Sequence, residues 1–188
     1  IANSGDTTAG FRLAARGNIA GDPVSIGVGS TSAISFADSA TGYALNTWHH
    51  AAGVAISATS RFAYIDGVPG AVQTTSRIPS GLNRTAIGRN SSSSPSLYMS
   101  GRAAICAMWN MALSAVEIAE LAAGVLPPDV RPEALVAYWS LLDSAPTQAF
   151  DDGPSSLWTL GADVVTAPSL APMDDLLDRL IFPRRLRR

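Results

Sequence analysis

His49 and His50 are the only two histidines of the chain, and they are adjacent. Histidine can move protons near neutral pH or ligate a metal. Neighbours on a strand point to opposite faces, so these two cannot close on one ion. Both therefore read as structural, with His50 turned inward beside Trp48 and His49 on the other face. Asp66 precedes Gly67, a pairing that ordinarily builds a tight turn rather than a metal site. Asp151-Asp152-Gly153 has two readings: a plain turn, or a loop whose carboxylates hold Ca²⁺ through oxygen. Glycoside hydrolysis needs two carboxylates flanking the scissile bond. The three glutamates, Glu117, Glu120 and Glu133, do not supply such a pair on any strand. No Gly-x-Ser-x-Gly elbow is present, so nucleophilic catalysis is not expected. Trp109, Trp139 and Trp158 could stack on sugar rings if exposed, but their alternating runs place them in the core.

The elements that must position these residues are mostly strands. Trp48, His50, Ala52, Val54 and Ile56 alternate with His49, Ala51, Gly53 and Ala55, which predicts a strand with one buried face. Ser57-Ala58-Thr59-Ser60 suits a hairpin turn. Phe62 and Tyr64 alternate with Arg61, Ala63 and Ile65 on the return. Asp66-Gly67 then turns the chain into a third strand beginning at Val68. Strands are also predicted at 11–15, 24–28, 33–36, 85–88, 102–109, 135–141, 157–160 and 162–165, with Asp38 to Gly42 a loop. Ser114 and Glu117 form a capping-box pattern that opens one helix, with Val116, Ile118 and Leu121 apolar and Gly124 as its stop.

Composition agrees with a turn-rich β domain. Of 188 residues, 47% are apolar and only 15% charged, with 16 Gly and 12 Pro. That length supports one sizeable core. The single Cys106 excludes a disulfide within the chain. No run reaches the roughly 18 apolar residues of a membrane span. All 13 basic residues are Arg; residues 1–178 hold 8 of them against 15 acids, and residues 179–188 hold the other five against none. The body is therefore mildly acidic and offers no nucleic-acid surface. Short strands with turns between them, plus one short helix, describe an all-β antiparallel sandwich or jelly roll.

Several motifs then carry a resemblance. Trp48-His49-His50-Ala51-Ala52, Tyr64-Ile65-Asp66-Gly67, Ile87-Gly88, Ala107-Met108-Trp109-Asn110 and Leu113-Ser114-Ala115-Val116-Glu117-Ile118 resemble, in that order, the laminin-G-like (concanavalin A-like) jelly-roll family. The likeness covers residues 10–124 and extends more weakly through Tyr138-Trp139-Ser140-Leu141 and Asp152-Gly153. It implies a jelly roll over residues 1–166. The strand that usually opens this family is not found, so either a segment precedes Ile1 or another chain supplies it. Some relatives bind Ca²⁺, and no other cofactor is implied.

Residues 167–188 form a Pro/Arg-rich extension. It reads either as a solubilising end or as a docking peptide. In the second reading Leu180, Ile181, Phe182 and Leu186 bury against a partner, and Arg184, Arg185, Arg187 and Arg188 pair with its acids. The compact Ser/Gly/Ala-rich body also resembles bacteriophage structural proteins. The expectation is a non-catalytic binding or assembly module on a virion surface or outside the cell. Its expected partners are capsid or tail chains, copies of itself, or surface glycans. A secreted glycan-binding domain is the first alternative, and a glycoside hydrolase the second.

Overall fold

The computed structural model describes residues 1–4, 9–30, 33–91 and 96–141. Ten strands run β1 (Ala2–Ser4), β2 (Gly10–Ala15), β3 (Pro23–Gly29), β4 (Ile34–Gly42), β5 (Ala51–Ser57), β6 (Ser60–Ile65), β7 (Val68–Pro69), β8 (Arg84–Ala86), β9 (Cys106–Trp109) and β10 (Leu135–Trp139). One helix, α1, covers Ala115–Ala122. All described strand pairings are antiparallel. The first sheet has the order β4-β3-β2-β1-β8, the second β5-β6-β7, and β9 pairs with β10.

Alternation decides how the sheets stack. Phe11 faces Val28 and Leu13 faces Ile26 across β2 and β3. The layer formed by Ile26, Val28 and Ala37, with Phe11, packs on Ala63 of β6 and Ala55 of β5. The first and second sheets are thus the two leaves of a sandwich. The outer face of the second sheet is covered as well. Val54 and Tyr64 lie in one cluster with Leu113, Ile118 and Val130, against which Phe62, Trp109 and Leu121 also pack. Sheet β5-β6-β7 is therefore a middle layer, which is why β6 is buried on both faces and not on one.

Local chemistry explains α1. Ser114 Oγ accepts from the Glu117 N–H, and a Glu117 carboxylate oxygen accepts from the Ser114 N–H. At the far end the Gly124 N–H reaches Leu121 and the Val125 N–H reaches Glu120, a Schellman closure around Gly124 in the left-handed region (φ 97°). Ile118 is the buried residue of this helix. Burying such a side chain contributes about 2 kcal/mol. Val116, another apolar position of the helix, is exposed.

Four other expectations need correction. β4 runs on through 38–42 where a loop was predicted. Polar side chains hold it there: the Val24 N–H donates to Ser39 Oγ at 3.0 Å, and Ser25 Oγ donates to Asp38. The strand expected at 102–109 begins only at Cys106, because Ile105 is left-handed (φ 55°) and breaks the extended run. β5 begins at Ala51, so Trp48 and both histidines lie in its lead-in. Trp48 is not inward; it is 46% exposed. The expected strands at 157–160 and 162–165 lie outside the described residues.

Candidate functional site

The Asp66-Gly67 turn is the best-organised polar group near the histidines. Both residues have positive φ, 49° and 81°, as a type I′ hairpin turn between β6 and β7 requires. Asp66 fits this conformation and also uses both carboxylate oxygens. Oδ1 accepts the His50 N–H at 2.9 Å, and Oδ2 lies 2.7 Å from His49 Nδ1. His49 Nε2 lies 2.9 Å from the Ala44 nitrogen, whose N–H donates to it. That bond fixes the tautomer: Nε2 holds its lone pair, so Nδ1 carries the proton and donates to Asp66. Both ring nitrogens are engaged in joining loop 43–50 to the hairpin. His49 is thus structural, as expected, but through a carboxylate that sequence reasoning read only as a turn.

His50 is half-buried, and its Nδ1 is buried without a hydrogen-bond partner. Burial lowers its pKa from the usual histidine value, opposed in part by the charge of Asp66. Among the described residues no group of three or more His, Cys, Asp or Glu could hold a metal ion. Asp151 and Asp152, the expected calcium ligands, lie outside the described residues. So do the docking residues Leu180, Ile181, Phe182, Arg184, Arg185, Leu186, Arg187 and Arg188, and Trp158.

Two of the remaining tryptophans serve the core. Trp139 is 1% exposed. Trp109 donates its indole N–H to the Val130 carbonyl at 2.9 Å while packing on the α1 cluster. Among the described residues the most exposed aromatics are Trp48 in loop 43–50 and Tyr98.

Carboxylates are sparse on the strands. Asp38 is the only one on any strand among the described residues. It is already held, accepting from Ser25 Oγ and lying 3.5 Å from Arg16. Arg16 in turn stacks over the Phe36 ring at 4.1 Å. Glu117 belongs to the helix cap and to Arg131, not to a cleft.

Arg61 is the polar residue that sequence reasoning missed. It was read simply as a strand residue opposite Phe62 and Tyr64. It is 0% exposed, at one end of the space between the two sheets. Its guanidinium donates to the Ala58 carbonyl, to Ser35 Oγ at 2.8 Å and to the Thr75 carbonyl at 2.6 Å. Gln73 braces the same corner through the Phe36 carbonyl and the Thr75 N–H.

A family model described as the concanavalin A-like lectin/glucanases superfamily (laminin G type) matches residues 1–119. The chain belongs to that superfamily. The concanavalin A-like domain is accordingly a carbohydrate-binding or adhesion type of module, in a laminin G group whose members are typically non-catalytic. A comparison with curated protein sequences gave no match. Among solved structures, an S-layer domain-containing protein from Clostridium thermocellum ATCC 27405 is 20% identical over 62% of this chain and 57% of that chain, with a TM-score of 0.39. A likeness at that level carries no conclusion about fold or function. No helix among the described residues is long and apolar enough to cross a membrane.

Proposed function

We propose that this concanavalin A-like domain is a non-catalytic binding module displayed on a virion or other extracellular surface, with its arginine-rich C-terminal extension docking into a protein partner. The observation that carries the non-catalytic part is that Asp38, the one strand carboxylate among the described residues, is already engaged by Ser25 and Arg16. Glycoside hydrolysis needs two free carboxylates across a cleft. Support for the virion setting is compositional: a compact Ser/Gly/Ala-rich body and a short basic extension, as in bacteriophage structural proteins. Deleting residues 180–188 tests the docking role. The truncated chain is expected to keep its thermal unfolding transition and to lose co-sedimentation with particles of its source. Unchanged co-sedimentation overturns the reading.

Glycan binding is the second reading, and Trp48 is the observation that favours it. A half-exposed indole is a surface on which a sugar ring could stack. A glycan array scored with the wild type and Trp48→Ala separates the two readings. Hits lost in the variant support glycan binding, and an array without hits removes it.

A further inference from the structure

A groove of about 330 Å³ runs beside β10. It is lined by Pro128, Leu135, Val136, Ala137 and Tyr138, with no charged residue among them. Ala137 is buried, whereas its neighbour Val136 is exposed and Tyr138 half-buried. Neighbours on a strand point to opposite faces, so a depression that meets all three follows the edge of β10. Within its sheet β10 has β9 on one side, and no other described strand flanks it. Pro128 belongs to the short 3-10 turn Pro127–Asp129, and proline has no N–H to offer a strand edge. Val136, the extra residue of a bulge against β9, is 40% exposed.

A strand edge bordered by apolar side chains suits a further strand, which covers the backbone groups and the apolar surface together. Position and chemistry choose the occupant. β10 ends at Trp139, and the chain runs on from there beyond the described residues to Arg188. A strand within that stretch is tethered to the groove, at an effective concentration of about millimolar, which a second copy would match only in concentrated solution. Leu157-Trp158-Thr159-Leu160 has the alternation of a strand. Residues 142–156 can span roughly 50 Å when extended, more than enough to return it to β10. Leu157, Trp158 and Leu160 match walls without charge. The next predicted strand, 162–165, carries Asp163, and the arginines of 184–188 would enter such a groove without a counter-charge. Size agrees as well. A cavity of about 150 Å³ holds benzene, so the groove has room for an indole ring and part of a leucine beside it.

We infer that residues 157–160 dock along the outer edge of β10 as a third strand beside β9 and β10, with the Trp158 indole seated in the groove against Val136 and Tyr138. The docking stands independently of the proposed function, which sends residues 180–188, and not this segment, to a partner.

Fluorine NMR of the full chain labelled with 5-fluorotryptophan tests it. Trp158→Phe and Trp48→Phe assign the two deciding resonances, and solvent contact is read as the shift between H2O and D2O. Trp48, 46% exposed, is the solvated reference. Trp158 is expected to show a far smaller solvent shift than Trp48, unchanged on dilution. Val136→Asp places a charge in the groove and should bring Trp158 to the Trp48 value. Val116→Asp, on α1 and outside the lining, should leave Trp158 shielded. Where Val136→Asp lacks a cooperative unfolding transition, Leu157→Ser, which alters no lining residue, takes its place and should expose Trp158. A wild-type Trp158 as solvated as Trp48 overturns the docking. So does a Trp158 that stays shielded in the groove variant, or one exposed equally by Val116→Asp. Shielding lost on dilution assigns the groove to a second copy, and shielding lost on deleting residues 167–188 assigns it to the extension; either result overturns docking by residues 157–160.

Discussion

Arg131 grips Glu117 with two nitrogens at once, Nε to Oε1 at 2.7 Å and Nη2 to Oε2 at 2.9 Å, while the same carboxylate caps the start of α1. One side chain thus ties the helix N-terminus to the segment that leads into β10. The hydrogen bonds from Ser114, followed by the charge of Arg131, hold the Glu117 pKa below the usual carboxylate value. A depressed carboxylate pKa gives stability that is present above the unfolded value and lost as pH falls through the folded one. The wild type should lose stability below about pH 4.3, and Glu117→Gln should lose it less steeply. Urea midpoints taken from neutral pH down to the acid transition check this.

Ser114→Ala removes the other half of the box. Loss of a side-chain N-cap costs about 1 kcal/mol. The midpoint of chemical unfolding should fall with no change in slope, since the same surface is exposed on unfolding.

His50 titrates in a different range. Its folded pKa is lowered by burial, so protonation disfavours the folded chain. Stability should be whole above the unfolded value of about 6.5 and decline as pH falls below it. His50→Gln should flatten the curve in that window and leave the Glu117 step in place. Two separable acid limbs in the wild type, and one in the variant, are the expected record.

Asp66 allows a finer dissection. Asn tolerates the left-handed turn, so Asp66→Asn keeps the hairpin and can still accept the His50 N–H. Its amide nitrogen cannot accept from His49 Nδ1–H, and about 1 kcal/mol should be lost. Asp66→Ala removes both bonds and should cost more. Proton NMR of the His49 ring would follow the freed Nδ1–H directly.

Gly70 tests the fit between the sheets. A Cβ built there overlaps the backbone carbonyl of Asp38 on β4. Backbone cannot swing away as a side-chain tip can, so Gly70→Ala should destabilise by about 2 kcal/mol or more. Gly81, where nothing lies within 4 Å, is the comparison position. Its own φ of 66° adds a backbone cost, so the steric part at Gly70 is what exceeds the loss in Gly81→Ala.

What was legible in the sequence was what neighbours in the chain decide. The Asp66-Gly67 turn, the Ser114–Glu117 box and the Gly124 stop each depend on residues a few positions apart, and each formed as read. The errors fall where distant segments meet. The alternation in β6 did not show that α1 would cover its second face. The second half of β4 looked like a loop because Asp38 and Ser39 are poor strand residues alone; they hold the strand through Val24 and Ser25. Arg61 gave no signal of burial, since Ser35 and Thr75, which satisfy it, come from other parts of the chain. Trp48 looked like core because alternation was extended three residues beyond the true start of β5.

The placement of β1 has a mechanical consequence. Ala2 pairs with Arg12 on one side and with Ala86 on the other, so the first strand is clamped between its neighbour and a strand from far along the chain. Such a pairing closes a long loop, at a cost in chain entropy. Once made, it works as a clasp. A protease that nicks the loop at 16–22 would leave two pieces still laced together by β2 against β3 and by β1 against β8, and a surface domain so cut would keep its shape.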